Sequence, residues 1–273
     1  MNTTVTTLCR WVLGGLLAWS GWQAQAAELS LSGPQGGNTW SSAALSSHPQ
    51  ARDVELMDSS YKTRMRYRAV PLALLAHNLG LTAADTLEVV ATDGFVAQLP
   101  GALALQTGPA QAWLAIEPEG QPWPALPKKT QSAGPFYVVW LPDTGVRSEQ
   151  WPYNVAKLNV REAPEKRWPQ IQVDGQLPAH DPARRGQALY ITQCLVCHTM
   201  NRGGAGTMGP DLNLPMNPVN YFQSTALRQL IRNPASVRQW PTSSMPGFDT
   251  KQLSEQDLDD LLAYLAHMAP RKP

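Results

Sequence analysis

The sequence predicts a two-part chain, a mixed and strand-rich α+β unit followed by an all-α unit, and three observations carry that reading. The 273 residues allow about two domains, at roughly 100 to 200 residues each. Period-two alternation and short apolar runs dominate up to residue 160, whereas helix-start signals and a helical apolar stripe dominate after residue 181. Between them the stretch 161–180 mixes Pro164, Pro169, Pro178 and Gly175 with charges, the composition of a linker.

Composition narrows the function classes. A hydrophobic share of 43% with ten Trp excludes wholesale disorder. The 22 Lys and Arg against 21 Asp and Glu leave a balance of +1, which carries no nucleic-acid footprint. The three cysteines are Cys9, Cys194 and Cys197.

Residues 1–26 read as a secretory signal peptide. Arg10 precedes the apolar run Trp11 to Trp19, and Ala24-Gln25-Ala26 supplies the small residues a signal peptidase needs. The alternative is an uncleaved anchor, but a spanning helix needs roughly 20 apolar residues and this run is shorter. The expected mature chain is therefore periplasmic, without a transmembrane segment, and its cysteine pair meets an oxidising compartment.

The first unit spans 29–160. Val54 to Met57 and Tyr61 to Arg68 alternate with period two and predict strands, the second carrying Lys62, Arg64, Arg66 and Arg68 on one face. That stripe fits either an anion-docking or partner-docking surface or a solvated edge strand, and the second reading is preferred. Pro71 to Leu79 predicts a short helix closed by Gly80. Leu87 to Thr92 and Phe95 to Leu99 flank Asp93-Gly94 as a hairpin. Ala112 to Ile116 and Phe136 to Leu141 read as buried strands, separated by a proline-rich loop, and Val155 to Val160 as a last strand.

The second unit spans 181–273. Asp181 as N-cap and Pro182 at the first turn open a helix over 182–193, and Leu227 to Ile231 belongs to a middle helix. Ser254 caps the last helix, whose Leu258, Leu261, Leu265 and Met268 share one face. His48, His77, His180 and His267 show no metal-ligand spacing and read as surface or packing residues.

Cys194-Leu195-Val196-Cys197-His198 is the CxxCH pattern of c-type haem attachment. Thiols three residues apart at a helix end face the same way and reach two vinyl groups on one porphyrin edge, while His198 points at the iron. The competing readings, a redox dithiol or a partial zinc site, need a βαβ setting or two further ligands that the flanking sequence does not supply. A six-coordinate haem needs a second axial ligand, with Met200, Met208, Met216, Met245 and Met268 as candidates. Met200 is too close to the proximal histidine, Met268 belongs to the helical stripe, and Met208 and Met216 follow the histidine in a Gly/Pro-rich loop. Met245 sits in the non-helical Ser243 to Phe248 loop and is followed by Pro246.

Residues 181–273 resemble class I cytochrome c through Gly186-Gln187-Ala188-Leu189-Tyr190, the CxxCH, Gly209-Pro210-Asp211-Leu212, Met245-Pro246 and Leu261 to Leu265. The resemblance implies one covalent haem c held by Cys194 and Cys197, with His198 and Met245 as axial ligands. It also implies a helix crossing at Gly186, with Tyr190 and Tyr264, and a Pro210 carbonyl that orients the imidazole. Trp240 is a candidate wall of the haem pocket.

In the first unit, Asp53 to Leu56, Tyr67 to Leu72 and Val89 to Phe95 resemble the molybdopterin-binding domain of the sulfite-oxidase superfamily. That family holds molybdenum through a cysteine thiolate, and this unit contains none, so molybdopterin is not expected and the unit reads as a docking or shape element. The function expected is one-electron transfer between a periplasmic dehydrogenase as donor and an oxidase or other cytochrome as acceptor, a carrier rather than a catalyst. Two alternatives stay open: a molybdenum oxidoreductase with a fused haem, and a haem-based ligand sensor.

Overall fold

The computed structural model describes residues 26–141, 146, 148–239, 243 and 245–273. All of the expected signal peptide but its last residue, and Trp240, lie outside the described residues.

The first unit is built on two sheets. The sequence-silent start forms a hairpin, β1 (Glu28–Gly33) and β2 (Gly36–Ser41), followed by helix α1 (Ser42–Ser46), which Ser41 caps by accepting from the Ala44 N–H. Leu29 and Leu31 of β1 alternate into the core, but β2 is polar and largely exposed, so it lacks the pattern that identifies a strand. Next come β3 (Arg52–Met57), β4 (Arg64–Pro71), α2 (Leu72–Asn78), β5 (Asp85–Ala91), β6 (Val96–Pro100), α3 (Gly101–Ala104), β7 (Ala112–Ile116), β8 (Phe136–Trp140) and β9 (Val155–Glu162). One sheet has the order β2-β1-β9-β5-β6 and the other β3-β4-β7-β8. The last strand, β9, slots between β1, which it joins in parallel, and β5, which it joins antiparallel. The expected hairpin is present, with Gly94 at φ 91° in its turn, a conformation open to glycine.

One strand differs from its sequence reading. The alternation from Tyr61 predicts an unbroken strand, but β4 starts at Arg64. The buried Asp58 carboxylate accepts from the N–H groups of Ser60 at 2.7 Å and Tyr61 at 2.8 Å and from the Tyr67 hydroxyl at 2.7 Å, folding 58–63 into a turn with Lys62 at φ 58°. Lys62 therefore leaves the basic stripe. Arg64 and Arg66 pair across to Glu55 at 3.1 Å and Asp53 at 2.7 Å on β3, and β4 is an interior strand rather than an edge. A neutralised, exposed ladder of this kind contributes little stability and offers no unopposed positive field.

The stretch 161–180 is packed rather than a free tether. β9 runs to Glu162 and is followed by α4 (Pro164–Arg167). Arg167 reaches the buried Glu88 of β5 at 2.7 Å, with Arg161 at 3.6 Å. Ile171 and Val173 are buried in the core of the second unit. The Tyr264 hydroxyl donates to the Ile171 carbonyl at 2.8 Å, and the Asp174 N–H donates to Nε2 of His267 at 3.0 Å.

The second unit is helical: α5 (Pro182–Leu189), α6 (Pro218–Tyr221), α7 (Ser224–Arg232), α8 (Pro234–Val237) and α9 (Glu255–Met268). Asp181 caps α5 through the Ala183 N–H, and Ser254 with Asp257 forms a capping box on α9. The α-helical bonding of α5 ends at Leu189, and Tyr190–Cys194 continues as a π-helical turn, a widening found frequently at functional sites. No helix among the described residues is long and apolar enough to cross a membrane.

Burial by itself would push the Glu88 carboxyl up, and the Arg167 guanidinium together with the amides of Gln98 and Asn159 more than offsets it, holding the group below its ordinary value. That stabilisation is present above the unfolded carboxylate range and is lost as pH falls through the lowered folded value. Arg167→Ala is expected to cost about 2–3 kcal/mol at pH 7, with the deficit narrowing below about pH 4, as measured by denaturant unfolding at both pH values.

Candidate functional site

The site begins where α5 crosses α9. A Cβ on Gly186 would stand 2.0 Å from the Asp260 carbonyl oxygen, so the two backbones meet at a distance that only glycine permits. Arg185 forks onto Asp260 at 2.6 and 2.7 Å, and the rings of Tyr190 and Tyr264 pack at 5.2 Å. The crossing fixes the exit of α5 and with it the π-helical turn that ends in Cys194. The N–H groups of Cys197 and His198 then both donate to the Cys194 carbonyl, at 3.0 and 2.8 Å, which turns the chain tightly.

Cys194 and Cys197 are half-buried free thiols. Burial pushes the Cys194 thiol up to about 12, with Glu149 and Cys197 adding to it. The Cys197 thiol is raised by burial first and then by Glu149 and Asp93. A reactive dithiol has a lowered thiol pKa, so the environment opposes the redox-dithiol reading.

His198 is held by the loop that follows it. Its Nδ1 lies 2.7 Å from the Pro210 carbonyl, which can only accept, so Nδ1 carries the proton and the Nε2 lone pair is left for a ligand. Burial lowers the imidazole's pKa against the opposing Pro210 and Asp211, and a neutral ring is what metal binding requires. A Cβ on Gly209 would stand 2.4 Å from Cε1 of His198, so the loop backbone lies flat against the ring. The same loop is tied down by Asp211, which accepts from the N–H groups of Arg202 at 2.7 Å, Asn213 at 2.8 Å and Leu214 at 2.9 Å and from the Thr199 hydroxyl at 2.9 Å. Asn213 and Asn217 continue this network to the Met268 and Leu265 carbonyls at the end of α9. Sequence reading singles out neither asparagine; their only local mark is the Asn-Pro step at 217, an N-cap signal for α6.

The five methionines separate by position. Met200 and Met268 are fully buried in the helical core. Met216 is exposed, and Met208 is exposed with its sulfur 3.9 Å from that of Cys197. Met245 is half-buried and, like Met208, lines a cavity of about 300 Å³ that also receives Cys194, Cys197 and His198. Its loop is anchored by the Phe248 N–H donating to the Ile231 carbonyl at 3.0 Å and by Arg232 donating to the Phe248 carbonyl at 3.0 Å. Leu227, Ile231, Leu261 and Leu265 make much of the remaining wall apolar.

Residues 183–269 match the family model described as Cytochrome c. They form a cytochrome c domain. No curated protein matches the chain. The domain implies covalently bound haem c, haem-based electron transfer and redox partners. The residues present fit that group: two thiols on one turn, a neutral imidazole with a committed tautomer, a glycine cradle against its ring, and an apolar cavity. Among the described residues no group of three or more His, Cys, Asp and Glu is placed to hold a metal ion.

The cavity of the cytochrome c domain also has lining residues that sequence reading missed. Tyr221 ends α6 and Phe222 follows it, with no motif around them, and Phe95 and Glu149 come from the strand-rich unit. Gly209→Ala is expected to displace the His198 ring and to lower the yield of holoprotein, or to leave a fraction of the haem high-spin, as read by the optical spectrum against a haem-stained denaturing gel.

Proposed function

We propose that the chain is a periplasmic one-electron carrier with a single haem c, attached through Cys194 and Cys197 and ligated by His198 and Met245. One observation carries the reading: the Nδ1 proton of His198 is committed to the Pro210 carbonyl inside the cavity that Cys194, Cys197 and Met245 share. The haem, when bound, supplies a one-electron couple. The chain's own residues do the rest. The two thiols hold one porphyrin edge, Pro210 keeps the imidazole in its ligating tautomer, and the anchored loop presents a thioether without a helix to distort. The apolar wall disfavours the charged, oxidised form, and Met/His ligation raises the potential in the same direction.

Export is supported by the signal-peptide pattern of residues 1–26. The donor proposed is a periplasmic dehydrogenase and the acceptor an oxidase or another cytochrome. The strand-rich unit is read as a relative of the sulfite-oxidase molybdopterin domain that lacks its metal-binding cysteine, since Cys9 is the only cysteine before Cys194. The boundaries proposed are 29–160 for that unit and 181–273 for the cytochrome, with 161–180 as the connection.

Metal analysis with an optical spectrum of the reduced protein tests the whole reading. About one iron per chain, no molybdenum and a low-spin c-type spectrum are expected; stoichiometric molybdenum would turn the assignment to an oxidoreductase. Cys194→Ala with Cys197→Ala is expected to abolish covalent haem, and haem retained on a denaturing gel would refute that attachment. Met245→Ala is expected to keep haem attached while the iron becomes high-spin or takes a new ligand, and an unchanged low-spin spectrum would exclude Met245 as the sixth ligand.

A further inference from the structure

The cavity around the CxxCH turn is walled by both units. Phe95 and Glu149 of the strand-rich unit line it, and β6 and the Ser148–Gln150 turn pack against the Tyr190–Cys194 turn. Both intruding segments are held firmly from behind. Phe95 leans on the first core, its N–H donates to Oδ1 of Asp93 at 3.1 Å, and the Thr92 N–H donates to the Asn154 carbonyl at 2.9 Å. Gln150 takes the indole N–H of the buried Trp140 on its carbonyl at 2.7 Å.

Gln193, immediately before Cys194, is buried and lines the same cavity, and neither of its amide atoms has a hydrogen-bond partner among the described residues. A residue beside an attachment cysteine is closed off from water here although it is polar. Glu149 lines the cavity itself, and the Asp93 carboxylate is held behind Phe95 at its rim by accepting the Phe95 N–H at 3.1 Å.

Because the thiols bond to one edge of the porphyrin, whatever surrounds them surrounds that edge. We infer that the haem site is composite, with the strand-rich unit closing the thioether edge against water through Phe95 and setting two carboxylates, Asp93 and Glu149, beside it. This rests on the covalent haem proposed above. The strand-rich unit then tunes the couple in two opposite ways: shielding disfavours the charged oxidised form, and the carboxylates favour it.

The test uses the full-length holoprotein, with covalent haem first verified on a denaturing gel, so that absence of haem counts against the function reading and not against the composite wall. Phe95→Ala is expected to be reduced by ascorbate several-fold faster than wild type and to have a lower midpoint potential, with Phe95→Leu close to wild type. Wild-type rate and potential in Phe95→Ala would overturn the inference. Should Phe95→Ala yield no folded holoprotein, Asp93→Asn decides, because Asn keeps the oxygen that accepts from Phe95 and removes only the charge. At low ionic strength its midpoint is expected to rise, opposite to the fall that lost shielding produces, and an unchanged midpoint would overturn the inference.

Discussion

The close approach of α5 and α9 at Gly186 is the constraint on which the cytochrome half depends. With the Asp260 carbonyl where a side chain would otherwise be, the helices cross backbone to backbone, and every later contact inherits that geometry. Arg185 binds the buried Asp260 and the tyrosine pair stacks across the crossing. The Tyr264 hydroxyl then catches the Ile171 carbonyl, drawing the connecting segment onto the domain. The π-helical turn that delivers Cys194 leaves α5 at the angle the crossing sets, so packing determines where the chemistry sits.

From that anchor the site is assembled by backbone rather than by charge. The imidazole is oriented by a proline carbonyl and backed by Gly209, a position without a side chain. The loop behind it is gathered by one carboxylate, Asp211, which is held below its usual range because backbone N–H donors more than offset its burial. Two asparagines then tie the loop to the end of α9 through the Met268 and Leu265 carbonyls. Such a frame suits an electron-transfer site, where the charge changes and the atoms must hold their positions.

Residues 161–180 join the two halves through packed structure. Proline, glycine and charge are the composition of a linker, yet here the prolines start short helical turns, and the charges are used in place: Arg167 on Glu88 and Asp174 on Arg271. Composition reports only that a segment lacks periodicity. Whether neighbours accept it depends on the surfaces at either end, and here Ile171 and Val173 find a core.

What the sequence by itself determined is what local rules encode. The CxxCH spacing, the Asp93-Gly94 hairpin, the all-apolar strands β7 and β8, and the caps at Asp181 and Ser254 depend on residues a few positions apart, so each could be read directly. Tertiary structure alone decided the rest. It stopped the alternating run at Lys62, because Asp58 gathers the hydroxyls of Tyr67 and Tyr137 along with its neighbours' N–H groups. It paired the polar β2 with β1, and it set Met245 in the wall of the cavity that receives His198. It brought Phe95 and Glu149 to the cavity that Cys194 and Cys197 line. Their place beside the cysteines arises from two packed surfaces, and a contact between residues so far apart in the chain leaves no periodicity or spacing in the sequence.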